Sequence, residues 1–105
     1  MVKRVFVFSL PEGTDPDEFW KFWVETHAPK FKKVPGLRKY VINRVTKVAK
    51  GDVKFWGLAE TWWESAEAHD RSLDSPEMKP VYSDNFGSRV TGGFGAWVEE
   101  NEILK

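Results

Sequence analysis

The stretch Leu37–Trp63, LRKYVINRVTKVAKGDVKFWGLAETWW, reads as strand, turn, strand. Leu37 to Lys47 is rich in β-branched and aromatic residues, Lys50-Gly51-Asp52 carries turn chemistry, and Val53 to Trp63 returns as a second strand. Upstream, Val34-Pro35-Gly36 ends a helix that Thr14-Asp15-Pro16-Asp17-Glu18 begins. Asp15 is placed to cap it, Pro16 suits the first helical position, and the acidic residues favour the positive end of the dipole. The helix is expected to run to about Lys33, with Pro29 imposing a kink or an early stop around His27 and Ala28. Before it, Val2–Leu10 (VKRVFVFSL) is a strand closed by Pro11-Glu12-Gly13.

Downstream, Ser65 opens a short helix (SAEAHDRSLD), and Ser75-Pro76-Glu77 is a cap-plus-proline start for another through about Tyr82. Asp84 to Gly93 reads as a loop and Phe94 to Glu100 as the last strand. The order is β-α-β-β-α-β with one extra short helix. It predicts an α+β, ferredoxin-like domain over residues 1–105, with a four-stranded antiparallel sheet carrying its helices on one face.

The chain has 105 residues, sixteen basic against sixteen acidic, and no cysteine. Zero net charge argues against a nucleic-acid or acidic-membrane partner, which a basic field would gather. Without cysteine there is no disulfide framework, thiolate nucleophile, zinc ribbon or iron–sulfur cluster. No metal set is expected from two histidines so far apart in sequence. No apolar run approaches the roughly 20 residues of a membrane span, so a cytoplasmic domain is the expectation. Eight Phe, six Trp and two Tyr are many for such a chain, and each indole buries roughly 200 Å².

A sheet with helices on one side and water on the other alternates apolar with polar residues. Val5-Phe6-Val7-Phe8, Phe55 to Ala59 with Trp62-Trp63, and Phe94 to Val98 do not. Two helices cover one face only, so the second face is expected to meet a second copy of the same sheet in a homodimer.

His27, late in the first helix and beyond Trp20 and Trp23, is the side chain best suited to proton transfer near neutral pH, unless it only caps the last carbonyls. Tyr40 shares a strand face with Arg38, Ile42 and Arg44. It is either an interface tyrosine or a ligand-facing one, whose basic neighbours would favour phenolate and help bind an anionic or enolate-bearing ligand. Asn43 points either into a cavity or outward. Glu60, enclosed by apolar residues, is expected to form a structural ion pair with Arg44 or Arg38. His69, beside Glu67 and Asp70, is expected at the surface. Trp20, Trp23, Trp56 and Phe86 are expected to line a pocket for a small apolar or aromatic ligand. Gly92-Gly93-Phe94-Gly95 precedes a strand and is no phosphate loop.

Phe19-Trp20-Lys21-Phe22-Trp23 leading to His27-Ala28-Pro29, then Val34-Pro35-Gly36-Leu37-Arg38-Lys39-Tyr40, resembles the EthD family of the dimeric α/β-barrel superfamily. Ala59-Glu60-Thr61-Trp62-Trp63-Glu64-Ser65, Ser75-Pro76, Asp84 before Phe86, and Val98-Glu99-Glu100 extend the likeness along the chain. The resemblance implies a ferredoxin-like subunit that dimerises through its sheet. It also implies one of several activities: cofactor-free isomerisation, cyclisation or decarboxylation, or haem-dependent oxidation. In the lactone isomerases of that superfamily a histidine and a tyrosine spaced as His27 and Tyr40 sit at the active site. Thr61 stands where such relatives carry a cysteine, and the Thr46–Lys54 connection has no histidine. The reading that follows is an enzyme with no cofactor, with a haem-using oxidoreductase or a non-catalytic module that binds a small ligand as the alternatives. His27 is acid or base, Tyr40 a donor to a developing oxyanion, and Arg38, Asn43 and Arg44 are contacts to the substrate.

Overall fold

The computed structural model describes residues 1–52 and 54–105. Strand β1 (Val2–Ser9) leads through the Pro11–Thr14 turn to helix α1 (Pro16–Phe22). Asp15 caps α1 from an extended backbone, its Oδ1 accepting from the N–H groups of Asp17 at 2.9 Å and Glu18 at 3.2 Å, and Pro16 takes the first position.

Pro29 does not stop this helix. It widens it. Lacking an N–H, it leaves the Glu25 carbonyl four residues back without its usual donor. Over Trp23–His27 the chain forms a π-helical turn in which the Ala28 N–H reaches Trp23 O, and an α-helical turn, α2 (Ala28–Phe31), completes the rod. Such single π turns recur at functional sites. Gly36 then turns the chain with φ +87°, and a Cβ there would lie 3.0 Å from the Cβ of Ala68, so both the backbone and the packing require glycine.

Strands β2 (Leu37–Arg44) and β3 (Gly57–Trp63) follow, then helices α3 (Ala66–Ser72) and α4 (Met78–Ser83), a 3₁₀ turn at Phe86–Arg89, and β4 (Thr91–Val98). The strands are shorter than the sequence predicts at the hairpin: β2 stops at Arg44 and β3 starts at Gly57, and the expected start at Val53 lies outside the described residues. Ser65 caps α3 by accepting from Ala68 N. Ser75 does not cap α4, because its hydroxyl donates backward to Ser72 O at 2.7 Å. The predicted Asp84–Gly93 loop contains the 3₁₀ turn and the first residues of β4.

The sheet is antiparallel in the order β2-β3-β1-β4, with all helices on one face, as a ferredoxin-like fold requires. Register separates the two faces. Phe6, Phe8, Ala59, Trp63, Tyr40 and Ile42 lie under the helices. Val5, Val7, Val41, Leu58, Phe94, Ala96 and Val98 share the open face. There Glu60 finds Lys3 at 2.9 Å and Asn43 at 3.0 Å, not Arg38 or Arg44. Glu60 pairs across the ladder with Val41; alternation puts Arg44 on the other face, and Arg38, at a register shift between Leu37 and Lys39, pairs with Glu64. Lys3 also holds Glu100 at 2.8 Å; the Lys3 hydrogen bond lowers the Glu60 carboxyl, and the bonds to Glu100 and Glu60 raise the Lys3 ammonium.

Under the helices the core is in two parts. Phe8, Phe19 and Trp23 centre one, and Val34, Trp63, Met78 and Val81 the other. Among the described residues, no helix is long and apolar enough to cross a membrane.

Candidate functional site

A cavity of about 240 Å³ opens between the two halves of the core, lined from both. Its floor is a row across three strands, in which Tyr40 pairs with Thr61 and Thr61 with Arg4; Trp97 on β4, opposite Arg4, continues the row beyond the cavity. Its roof brings His27 from the π turn and Phe86 from the turn after α4.

His27 is 6% exposed, and its Nδ1 lies 2.8 Å from Asp84 Oδ2. The same carboxylate oxygen is 3.5 Å from Lys30 Nζ, and Oδ1 accepts from Phe86 N at 3.0 Å. That last bond fixes Phe86 over the imidazole, with ring centroids 4.1 Å apart and planes at 20°. Burial holds the imidazole below its ordinary pKa of 6.5, the Asp84 hydrogen bond and charge pull it partly back, and Lys30 pushes it down again. The group is therefore neutral at neutral pH. Against a carboxylate its proton belongs on Nδ1, which leaves the Nε2 lone pair as an acceptor.

Tyr40 reaches the cavity from β2. Its oxygen accepts from Trp23 Nε1 at 3.2 Å, and Phe31 packs 4.9 Å from its ring. Burial is the main cause that pushes the phenol up to about 12. The basic neighbours expected to favour phenolate do not reach it. Arg38 is drawn outward to Glu64 at 2.9 Å, and Arg44 pairs with Asp17 at 3.0 Å while lying 5.0 Å over Trp20. Tyr40 thus keeps a hydrogen to donate, and the Trp23 bond polarises it in the helpful direction.

Of the residues the sequence singles out, His27, Tyr40, Trp23 and Phe86 meet in this cavity. Trp20 and Trp56 do not line it; they buttress Trp23 from behind, at 5.7 and 6.1 Å between ring centroids. Arg38, Asn43 and Arg44 lie outside it, Asn43 on the open face, where it donates to Leu58 O and Glu60. His69, expected at the surface, packs edge-on against Trp63 at 4.8 Å and Trp97 at 5.1 Å and lines the cavity. Asp84, Arg4 and Thr61 also belong to the site or support it. Asp84 carries no site role in a linear reading, because its partner His27 is 57 positions away.

An imidazole with an open Nε2, a carboxylate fixing its other nitrogen, and a neutral phenol in one apolar cavity can move a proton and hold a developing oxyanion. Among the described residues no three His, Cys, Asp or Glu side chains gather as a metal set. A haem does not fit the site as it stands. The cavity is smaller than the roughly 300 Å³ at which ordinary ligand pockets begin, and Phe86 covers the His27 ring that would ligate iron.

The EthD domain model matches residues 11–86. No curated protein matches the chain. Among solved structures, an EthD family protein of Bacillus halodurans is 29% identical, with a TM-score of 0.75 over 96% of this chain and 99% of that one. A dimeric α/β-barrel family protein with a ferredoxin-like fold from Mesorhizobium loti superposes with a TM-score of 0.72 at 14% identity, over 95% and 96% of the two chains. A cofactor-independent oxygenase from Streptomyces nogalater does so with a TM-score of 0.67 at 21% identity, over 98% and 95%. Sequence and sheet order therefore agree: the chain belongs to the EthD family and has a ferredoxin-like fold.

Proposed function

We propose that this protein is a cofactor-independent enzyme of isomerase, cyclase, lyase or decarboxylase type, acting on a small, largely apolar or aromatic substrate in the cavity of His27 and Tyr40. The observation that carries this reading is the His27–Asp84 pair, 2.8 Å apart and buried, sharing a cavity with a Tyr40 hydroxyl free to donate. His27 Nε2 takes a proton from a carbon next to a substrate carbonyl. The electron pair moves onto the carbonyl oxygen, Tyr40 donates to that oxyanion, and the imidazolium returns the proton to the same or another carbon. Asp84 does not touch substrate; it fixes the tautomer and stabilises the imidazolium as it forms. Trp23, Phe31 and Phe86 exclude water, which strengthens each of these interactions. The cofactor-independent oxygenase of the same fold supports a reading without a bound group.

The working unit is a homodimer packed through the open sheet face, whose Val5, Val7, Val41, Leu58, Phe94, Ala96 and Val98 form an apolar surface around the Lys3–Glu60–Glu100 cluster. The cytoplasm is its compartment. Turnover of a panel of lactones and polyketide-like ketones tests the assignment. His27→Ala is expected to lower kcat by about 10²–10⁴-fold, and unchanged turnover on every substrate the native protein converts would remove His27 from the chemistry.

A further inference from the structure

We infer that Arg4 is the substrate-selecting residue of the cavity, and that the ligand it selects carries a carboxylate on its apolar or aromatic frame. This rests on the cavity assigned above and adds the chemical class of its occupant.

Arg4 is a half-buried cation on the cavity floor, facing the helices in the middle of β1. Among the described residues it has no ion-pair partner, whereas Lys3, Arg38 and Arg44 each have one. The carboxylates near the cavity are already engaged: Asp84 with His27 and Lys30, and Asp70 with His69. None of the cavity-lining residues is acidic, while Arg4, His27 and His69 line it. A charged guanidinium in an apolar wall, with no counter-charge of its own, is costly unless a ligand supplies the anion.

The seat for this side chain is shaped. Its guanidinium lies 5.6 Å from the Trp97 ring, and a Cβ at Gly95 would come within 2.6 Å of Nη2. Gly95 therefore leaves the space that the guanidinium fills, and Trp97 flanks it with a π face. A planar fork of donors held in this way matches a carboxylate in two-point fashion. Arg4 and Tyr40 stand in the same row two strands apart, or roughly 10 Å between backbones. A ligand bridging them holds its acid group at β1 and presents its reacting carbonyl to Tyr40 and His27. The two ends divide the work: Arg4 binds and orients, and His27 with Tyr40 handles protons.

The probes are 2-naphthoate and 2-naphthamide, alike in shape and differing in charge, with binding read by calorimetry and by quenching of tryptophan fluorescence at pH 7.5. The native protein is expected to bind the acid about tenfold or more tighter than the amide. Arg4→Gln is expected to erase that preference, Arg4→Lys to retain part of it, and Gly95→Ala to weaken it by crowding Nη2. Gly95→Ala and Arg4→Lys keep the test decisive if Arg4→Gln does not fold. Equal affinity for acid and amide, binding of neither, or a preference that survives in Arg4→Gln would overturn the inference. His27→Ala is expected to keep the acid preference while losing turnover. Loss of the preference only in the Arg4 and Gly95 variants thus separates this inference from the catalytic one.

Discussion

The Asp84→Asn substitution tests how the protonation of His27 is set. Three forces act on that imidazole: burial and Lys30 lower its pKa, and only Asp84 raises it. Asparagine keeps a carbonyl oxygen to accept from Phe86 N, so the turn over the imidazole survives. It removes the charge that faces His27 Nδ1 at 2.8 Å and Lys30 at 3.5 Å. With the raising contribution gone, and Lys30 no longer neutralised, the His27 pKa is expected to fall further below 6.5 than in the native protein. The histidine ring resonances, followed by long-range ¹H–¹⁵N spectra across pH 4–8, report this directly, and a His69→Gln background assigns them. A His27 that titrates at or above its native value in Asp84→Asn would refute the account.

The same substitution has a stability signature with a fixed sign. His27 has a folded pKa below its unfolded value, so its contribution is fully present above about pH 6.5 and declines as pH falls through the folded pKa. Asp84→Asn widens the gap between folded and unfolded values, and its stability should fall more steeply than the native protein's between pH 6.5 and 5. At pH 7.5 the lost charge-assisted hydrogen bond costs about 1.5–3 kcal/mol. Asp84→Ala, which also strands the Phe86 N–H and Lys30, costs about 3–5 kcal/mol. For a domain of this size each kcal/mol moves Tm by about 4–8 °C, so the two variants are resolved by thermal melting.

Tyr40→Phe bears on the phenol held at about 12. Ionising that group inside the fold costs about 3 kcal/mol, so stability is lost as pH rises from 10 to 12. Urea titrations at pH 8 and 11.5 should show this alkaline loss in the native protein and not in Tyr40→Phe, which instead forfeits about 1–2 kcal/mol throughout because Trp23 Nε1 loses its acceptor; parallel pH profiles would count against a buried neutral phenol. Val7→Lys places a charge between Leu58 and Phe94 on the open face; sedimentation equilibrium should find the native chain dimeric, as proposed, and the variant a folded monomer, and a variant that stays dimeric would rule out sheet-to-sheet association.

Local chemistry was legible in the sequence, and pairings between strands were not. Asp15-Pro16-Asp17-Glu18 announces a helix start because cap, ring and dipole act within one turn, and the structure shows that cap. The two-fold period within β2 correctly grouped Tyr40, Ile42 and Arg44, but it breaks at Arg38, where the ladder shifts register and Leu37 turns in under the helices beside Trp63. What the period could not supply was register, so Glu60 was matched to arginines when Val41 stands opposite it. His69 misled for a similar reason. Its polar helical neighbours mark a surface, yet Trp63 and Trp97, from two other elements, close around its ring. Pro29 predicts a kink or an early stop because proline removes a hydrogen bond, and the chain absorbs that loss in a π turn that still carries His27 into the core.

The extent of the family match bears on how the two ends of the cavity divide. Residues 11–86 match the EthD model. His27, Tyr40, Asp84 and Phe86 fall inside that stretch, Phe86 as its last residue. Arg4, Gly95 and Trp97 fall outside it, on β1 and β4, which the ladder joins side by side. On the proposed reading, the proton-handling end lies within the stretch that matches the family model, and the Arg4 end on strands outside it. A scaffold arranged in this way can keep one proton-transfer centre and change its ligand by altering what β1 and β4 present to the cavity floor. Gly95 is the constraint on that freedom: any side chain there contests the space of the guanidinium, so selection at Arg4 requires two positions on adjacent strands to agree.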